Sequence, residues 1–225
     1  MTTYAKNHRA SIENPEEFWA QAAEGIDWDK RWDRVLDNSE PLTYRWFAGG
    51  RLNTCYNAVD RHVERGRGDQ AAIIYDSAVT DTKRTISYSE LLADVARFAG
   101  VLSANGVARG DRVIIYMPMI PEAIVAVLAC ARLGAVHSVV FGGFAAAELA
   151  TRIDDAKPTA IVSASCGIEP SRLVEYKPLL DEAIELSSHK PSKCVILQRP
   201  QVAAGMIDGR DIDWHESMAS ATPHD

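Results

Sequence analysis

The sequence predicts an α/β protein: a doubly wound parallel sheet with helices on both faces, left incomplete at its C-terminal side and preceded by an aromatic-rich N-terminal cap. Three observations carry this expectation. From Asp69 onward, short apolar runs alternate with segments of helical periodicity, the pattern of strands joined by crossover helices. Runs such as Val113–Met117 are apolar without alternation, as strands are when both faces of a parallel sheet are covered. The first stretch is different: Phe18, Trp19, Trp28, Trp32, Tyr44, Trp46 and Phe47 crowd into it, and aliphatic runs are scarce.

Within that stretch, Asn14 followed by Pro15, Glu16 and Glu17 supplies an N-cap, a proline at the first helical position and acids against the positive helix end. A short helix to about Ala23 is expected. Leu52, Tyr56, Val59 and Val63 recur at spacings of four, three and four, which places one apolar stripe on a second helix ending near Gly66. Residues 1–68 are read as a cap and 69–225 as the first part of a larger α/β domain.

Ala71–Tyr75 and Arg84–Ser87 read as strands joined by a polar turn. Ser87 with Glu90 forms a capping box, after which Leu91, Val95, Phe98 and Leu102 line one helical face closed near Gly106. Strand Val113–Met117, helix Pro121–Leu133, strand Val136–Phe141, helix Ala145–Asp155, strand Thr159–Ser163, helix Pro178–Leu186 and strand Lys193–Leu197 follow. Beyond Gln198 aliphatic residues thin out, with a short helix expected around Trp214–Met218. The alternation is not closed by Asp225, which suggests a piece of a longer protein.

Composition narrows the function classes. Over 225 residues, 47% hydrophobic and 24% charged content is that of a globular domain. A net charge of −7 without a basic stripe argues against a nucleic-acid partner. The uncharged run Ala123–Ala131 is far below the roughly 20 residues that span a bilayer, and the polar N-terminus lacks the apolar core of a secretory signal, so a membrane partner is not expected. Cys55, Cys130, Cys166 and Cys194 are widely spaced, with no C-x-x-C pair and no His at metal-ligand spacing. They read as reduced thiols in a cytoplasmic protein, with no metal site.

Ligands of doubly wound sheets bind beyond the carboxyl ends of the strands. The candidate place is Phe141-Gly142-Gly143, where a strand turns into a helix: two glycines permit a sharp turn and close approach of a ligand, and the helix presents free N–H groups. A lone Gly-Gly is also found in plain tight turns. Arg172, in a Gly- and Pro-containing loop, can grip a phosphate or simply lie in solvent. His137 falls inside a strand and reads as a structural histidine. No Walker loop, dinucleotide fingerprint, nucleophile elbow or zincin pair is present, so no catalytic residue is assigned.

Three segments then carry a family resemblance. Trp46-Phe47-Ala48-Gly49-Gly50-Arg51-Leu52-Asn53, continuing to Asp60-Arg61-His62, resembles the N-terminal signature of acetyl-CoA and propionyl-CoA synthetases. Tyr116-Met117-Pro118-Met119-Ile120-Pro121-Glu122-Ala123, running through Gly134 and His137 into Phe141-Gly142-Gly143-Phe144, is similar to the same family at nearly every position. Cys166–Arg172 with Glu175–Ala183 is closer to the propionyl-CoA branch. The chain is thus identified as a member of the adenylate-forming, AMP-forming acyl-CoA synthetases.

The resemblance implies that the complete enzyme converts a short-chain carboxylate, propionate or acetate, and MgATP to an acyl-adenylate and pyrophosphate, then to acyl-CoA and AMP. It implies that Phe141, Gly142 and Gly143 contact the nucleotide end of CoA and that Arg172 meets its phosphates. Where the acetyl-CoA branch has a second arginine, this sequence has Glu169. The phosphate loop, the magnesium carboxylate and the adenylation lysine of the family are not matched by residues 1–225. The expectation is therefore an inactive N-terminal piece that uses CoA, ATP and Mg2+ only in the complete enzyme, holds none of them tightly alone, and belongs to a possible homo-oligomer. A stand-alone CoA- or nucleotide-binding module, or a subunit-interaction module, is the alternative.

Overall fold

The computed structural model describes residues 3–224. These fall into two compact units that divide between Asn57 and Ala58. Strand–helix alternation begins at Asp69 in the sequence, yet the segment before it already belongs to the second unit. The reason is a buried fork: Arg132 donates to both Asp60 carboxylate oxygens at 2.6 and 2.7 Å.

The first unit holds helices α1 (Thr3–Glu13) and α2 (Pro15–Ala23) and an antiparallel pair, β1 (Arg34–Asp37) with β2 (Arg45–Ala48). Helix α2 lies where Pro15 predicts it. The Asn14 side chain makes no capping bond, so proline at the first helical position and the acids behind it set this start. Helix α1 and the β1–β2 pair were not legible in the sequence. Trp28, Trp32 and Phe47 pack ring to ring at 5.0 to 5.5 Å. Asn57 clasps Asp27 by giving its amide N–H to the Asp27 carbonyl at 2.8 Å and accepting the Asp27 N–H at 2.9 Å.

The stripe through Leu52–Val63 does form helical turns, but of π type, at Tyr56–Asp60 and Val63–Arg67. Gly66 takes φ 77° and kinks the second of them, as its freedom from Cβ allows.

In the second unit, β3 (Ala71–Ser77) and β4 (Thr82–Ser87) form a hairpin. Helix α3 (Tyr88–Ala104) starts on the predicted capping box: Ser87 Oγ accepts the Glu90 N–H at 3.2 Å and the Glu90 carboxylate accepts the Ser87 N–H at 2.7 Å. Then come β5 (Arg112–Tyr116), α4 (Pro121–Leu133), β6 (Val136–Val139), α5 (Ala146–Ala156), β7 (Ala160–Ala164), β8 (Cys166–Glu169), β9 (Arg172–Glu175), α6 (Tyr176–Leu186), β10 (Lys193–Leu197), β11 (Asp211–Asp213) and α7 (Trp214–Ser220).

Five strands form one parallel sheet in the order β11-β10-β7-β5-β6. Side chains alternate across each strand. Ile114, Tyr116, Ile161, Cys194 and Ile196 point to a core closed by Leu149 and Ile153 of α5 and Leu180 and Ile184 of α6. On the opposite face α3 and α7 meet through Phe98 and Trp214, stacked at 3.9 Å. Helices on both faces and an all-parallel sheet are the predicted architecture. The differences are local. Strand β6 ends at Val139 rather than Phe141, β11 adds a fifth strand where only a short helix was expected, and a β8–β9 hairpin occupies what the sequence presented as a loop.

Strand β11 is held by a buried charge cluster. Lys177 Nζ lies 2.6 Å from Asp181 and 2.9 Å from Asp211, and Arg210 pairs with both carboxylates. The Asp211 side chain is wholly buried. Burial opposes its ionisation, but the hydrogen bonds from Arg210 and Lys177 outweigh that and hold its pKa below the ordinary carboxylate value.

Candidate functional site

Counted along the chain, the five sheet strands run second, first, third, fourth, fifth. The direction of winding therefore reverses between β5 and β7, and the carboxyl ends of those strands mark the switch point where ligands of such folds settle. Tyr116 ends β5 there. Its hydroxyl donates to the Phe144 carbonyl at 3.0 Å, and its own carbonyl accepts Ser163 Oγ of β7 at 2.9 Å. Burial pushes the Tyr116 phenol up to about 12, so it stays a neutral donor near neutral pH.

Next to β5, strand β6 leads into the turn Phe141–Phe144 and on to α5. Phe141 is 74% exposed, and its ring leans on Phe144 at 5.7 Å. Gly143 has φ 91°, a conformation L side chains avoid. Gly142 is required for another reason: a Cβ there would stand 2.8 Å from Cζ of Tyr176. The missing side chain at Gly142 thus serves the protein's own packing, while Gly143 is the residue whose backbone demands glycine.

Tyr176 opens α6 and sits between two glycines, because a Cβ on Gly167 would also meet its ring, at 2.7 Å. The ring stacks on Tyr116 at 4.9 Å, and its N–H donates to Ser165 O at 3.0 Å. Gly167 belongs to β8. Tyr176 therefore fastens the β8–β9 hairpin beside the Phe141–Gly143 turn, at the carboxyl end of the sheet.

The structure places Arg172 on that hairpin, at the first residue of β9, rather than in a loop. It is cross-strand to Glu169, and the two form a fork: Nε to Oε2 at 2.7 Å and the second nitrogen to Oε1 at 3.3 Å. Both side chains are exposed, 68% and 44%. Glu169 Oε1 also lies 4.0 Å from the place a Cβ of Gly143 would occupy, so the ion pair and the turn are neighbours. The hydrogen bond from Arg172 holds the Glu169 carboxyl below its ordinary range. Phe141, Gly142, Gly143 and Arg172 are thus brought together, joined by Tyr116, Tyr176 and Glu169. The sequence reading quoted the two tyrosines within the family segments but gave them no role, since a place at a strand end and at a helix start does not show what they pack against.

His137 does not behave as a structural histidine: it is exposed on β6, at the sheet edge. Among the described residues no group of three or more His, Cys, Asp or Glu is placed to hold a metal, and no helix is long and apolar enough to cross a membrane. All four cysteines are buried, and none is in a disulfide.

Comparison with known proteins fits this geometry. The family described as AMP-binding enzyme matches residues 59–225, and the acetyl-coenzyme A synthetase N-terminus matches residues 4–58. The mitochondrial acyl-CoA synthetase short-chain family member 3 of Rattus norvegicus is 56% identical over 99% of the chain and 33% of its own length. Propionate–CoA ligase of Escherichia coli is 43% identical over 98% of the chain and 36% of its own length. Acetoacetyl-CoA synthetase from Streptomyces lividans superposes on the whole chain with a TM-score of 0.86 at 25% identity, and 34% of that chain is covered. The chain spans about a third of the length of the curated relatives it matches. With one family matching nearly all of the second unit and the other nearly all of the first, this chain belongs to the AMP-binding enzyme family and carries an acetyl-coenzyme A synthetase N-terminus.

Proposed function

We propose that this chain is the N-terminal part of an AMP-forming short-chain acyl-CoA synthetase that joins propionate or acetate to CoA. The reading rests on one juxtaposition: the glycine turn Phe141–Gly143 and the arginine-bearing β8–β9 hairpin meet at the carboxyl end of the parallel sheet. The family is ATP- and CoA-dependent. Its relatives include a propionate–CoA ligase, which supports the choice of substrate class.

In this reading Phe141 offers its exposed ring, Gly142 lets the turn seat against Tyr176, Gly143 lets the nucleotide end of CoA approach the backbone, and Arg172 faces the CoA phosphates, where a planar guanidinium pairs well. The exposed Phe141 and the solvent-facing Arg172 suit an extended, charged ligand at a mouth better than an enclosed small molecule. ATP and Mg2+ are handled by residues outside this chain, since positioned cations around the phosphates are what such chemistry needs. The chain alone turns over nothing, and the buried cysteines, none in a disulfide, suit a cytoplasmic location.

The test is to measure both half-reactions of the intact protein. Carboxylate-dependent ATP–pyrophosphate exchange is expected from it and not from residues 1–225 alone. Arg172→Ala in the intact protein should raise the CoA KM about ten- to thirtyfold, the range expected of a solvent-screened contact, and leave the exchange reaction nearly unchanged. Equal loss in both half-reactions, or no loss in either, defeats the assignment of Arg172.

A further inference from the structure

We infer that Glu169 is a specificity-determining residue that occupies the Arg172 guanidinium as a built-in anion, so that a phosphate of CoA must displace a carboxylate of the protein to bind. This rests on the function proposed above and goes beyond it, because it assigns a role to a residue that need not touch the ligand.

The geometry supplies the reason. Glu169 meets Arg172 with both oxygens, at 2.7 and 3.3 Å, which is the same fork a phosphate would use. The two residues stand opposite each other at the tip end of the hairpin, so the pair forms without straining either strand. Glu169 also stands beside Gly143, where the ligand backbone would pass. A carboxylate there repels an incoming phosphate as well as competing for its partner. The exposure of both side chains makes the exchange feasible, since an exposed ion pair contributes little and is readily broken. The expected consequence is a moderated affinity: the site releases its anionic ligand more easily than an unpaired arginine would, and it disfavours ligands with extra negative charge near the turn.

The experiment is a double-mutant cycle in the intact protein, with CoA as the probe and binding followed by calorimetry at low and high salt. Glu169→Gln should tighten CoA about two- to fivefold, the size expected for freeing one exposed pair. The gain should shrink at high salt and vanish when Arg172→Ala is also present. Glu169→Ala provides a second route if the glutamine merely re-forms the hydrogen bonds, and thermal melts report whether each variant is folded. Unchanged or weaker CoA binding in both Glu169 variants, with Arg172→Ala still weakening it, overturns the competition and leaves Arg172 as a CoA contact. A gain that persists in the Arg172→Ala background also overturns it, because the carboxylate would then act without its partner. No effect of Arg172→Ala overturns both this inference and the site reading beneath it.

Discussion

The ring of Tyr176 lies on the ring of Tyr116, with centroids 4.9 Å apart and planes inclined by 30°. One tyrosine ends a sheet strand and the other starts a helix, so this stack joins the carboxyl edge of the sheet to the hairpin that carries Glu169 and Arg172. Gly142 and Gly167 both lack the Cβ that would strike Tyr176. The candidate site is therefore shaped by an aromatic wedge rather than by the glycine turn alone.

Gly142→Ala should destabilise the protein by about 1–3 kcal/mol, the usual result of forcing extra volume into a filled space. Gly167→Ala should act in the same direction. Tyr176→Phe keeps the wedge and should cost less than either. Tyr176→Leu narrows the wedge, and in that background the loss caused by Gly142→Ala should fall. Denaturant midpoints of the four single variants and the double variant measure this coupling. Additive losses would show that Tyr176 is not what makes glycine necessary at position 142.

Asp211→Asn should cost about 3–5 kcal/mol, because it leaves Lys177 and Arg210 with one carboxylate between them in a buried place. The pH dependence has a definite sign. The folded-state pKa of Asp211 is depressed, so its contribution is present above the ordinary carboxylate pKa and is lost as pH falls through the folded value. Stability measured from neutral pH into the acid range should therefore fall more steeply in the parent protein than in Asp211→Asn. Parallel curves would refute the assignment.

The four cysteines should resist alkylation in the native protein and react after unfolding. All are buried and outside any disulfide, and burial pushes the Cys130 and Cys194 thiols up to about 12. Since the thiolate is the nucleophile, these two combine poor access with very little reactive form at neutral pH. Thiol titration with and without denaturant checks this. Rapid native labelling of Cys130 or Cys194 would mean that α4 or β10 opens far more readily than its packing suggests.

Much of the second unit was legible because its signals are local. The capping box at Ser87 and Glu90, Pro121 at the start of α4, Gly134 after its end and the unbroken apolar runs of β5 and β10 each act through neighbouring residues, so the sequence by itself determined those helices, strands and the parallel two-layer cover. The family also was determined there, since Trp46–Asn53 and Tyr116–Phe144 carry it in linear order. Tertiary structure alone decided the rest. The β8–β9 hairpin is built from residues with weak strand character, such as Gly167 and Glu169, and is fixed by Tyr176 and by Glu169 facing Arg172. Strand β11 has three residues and exists because Asp211 completes a buried charge cluster with Lys177, Asp181 and Arg210. Gly142 looked like an opening for a ligand, but the space beside it belongs to a tyrosine more than thirty residues later. Pairings between distant residues leave no periodicity or local cap to read, because the energy that selects them arises only when the folded chain brings them into contact.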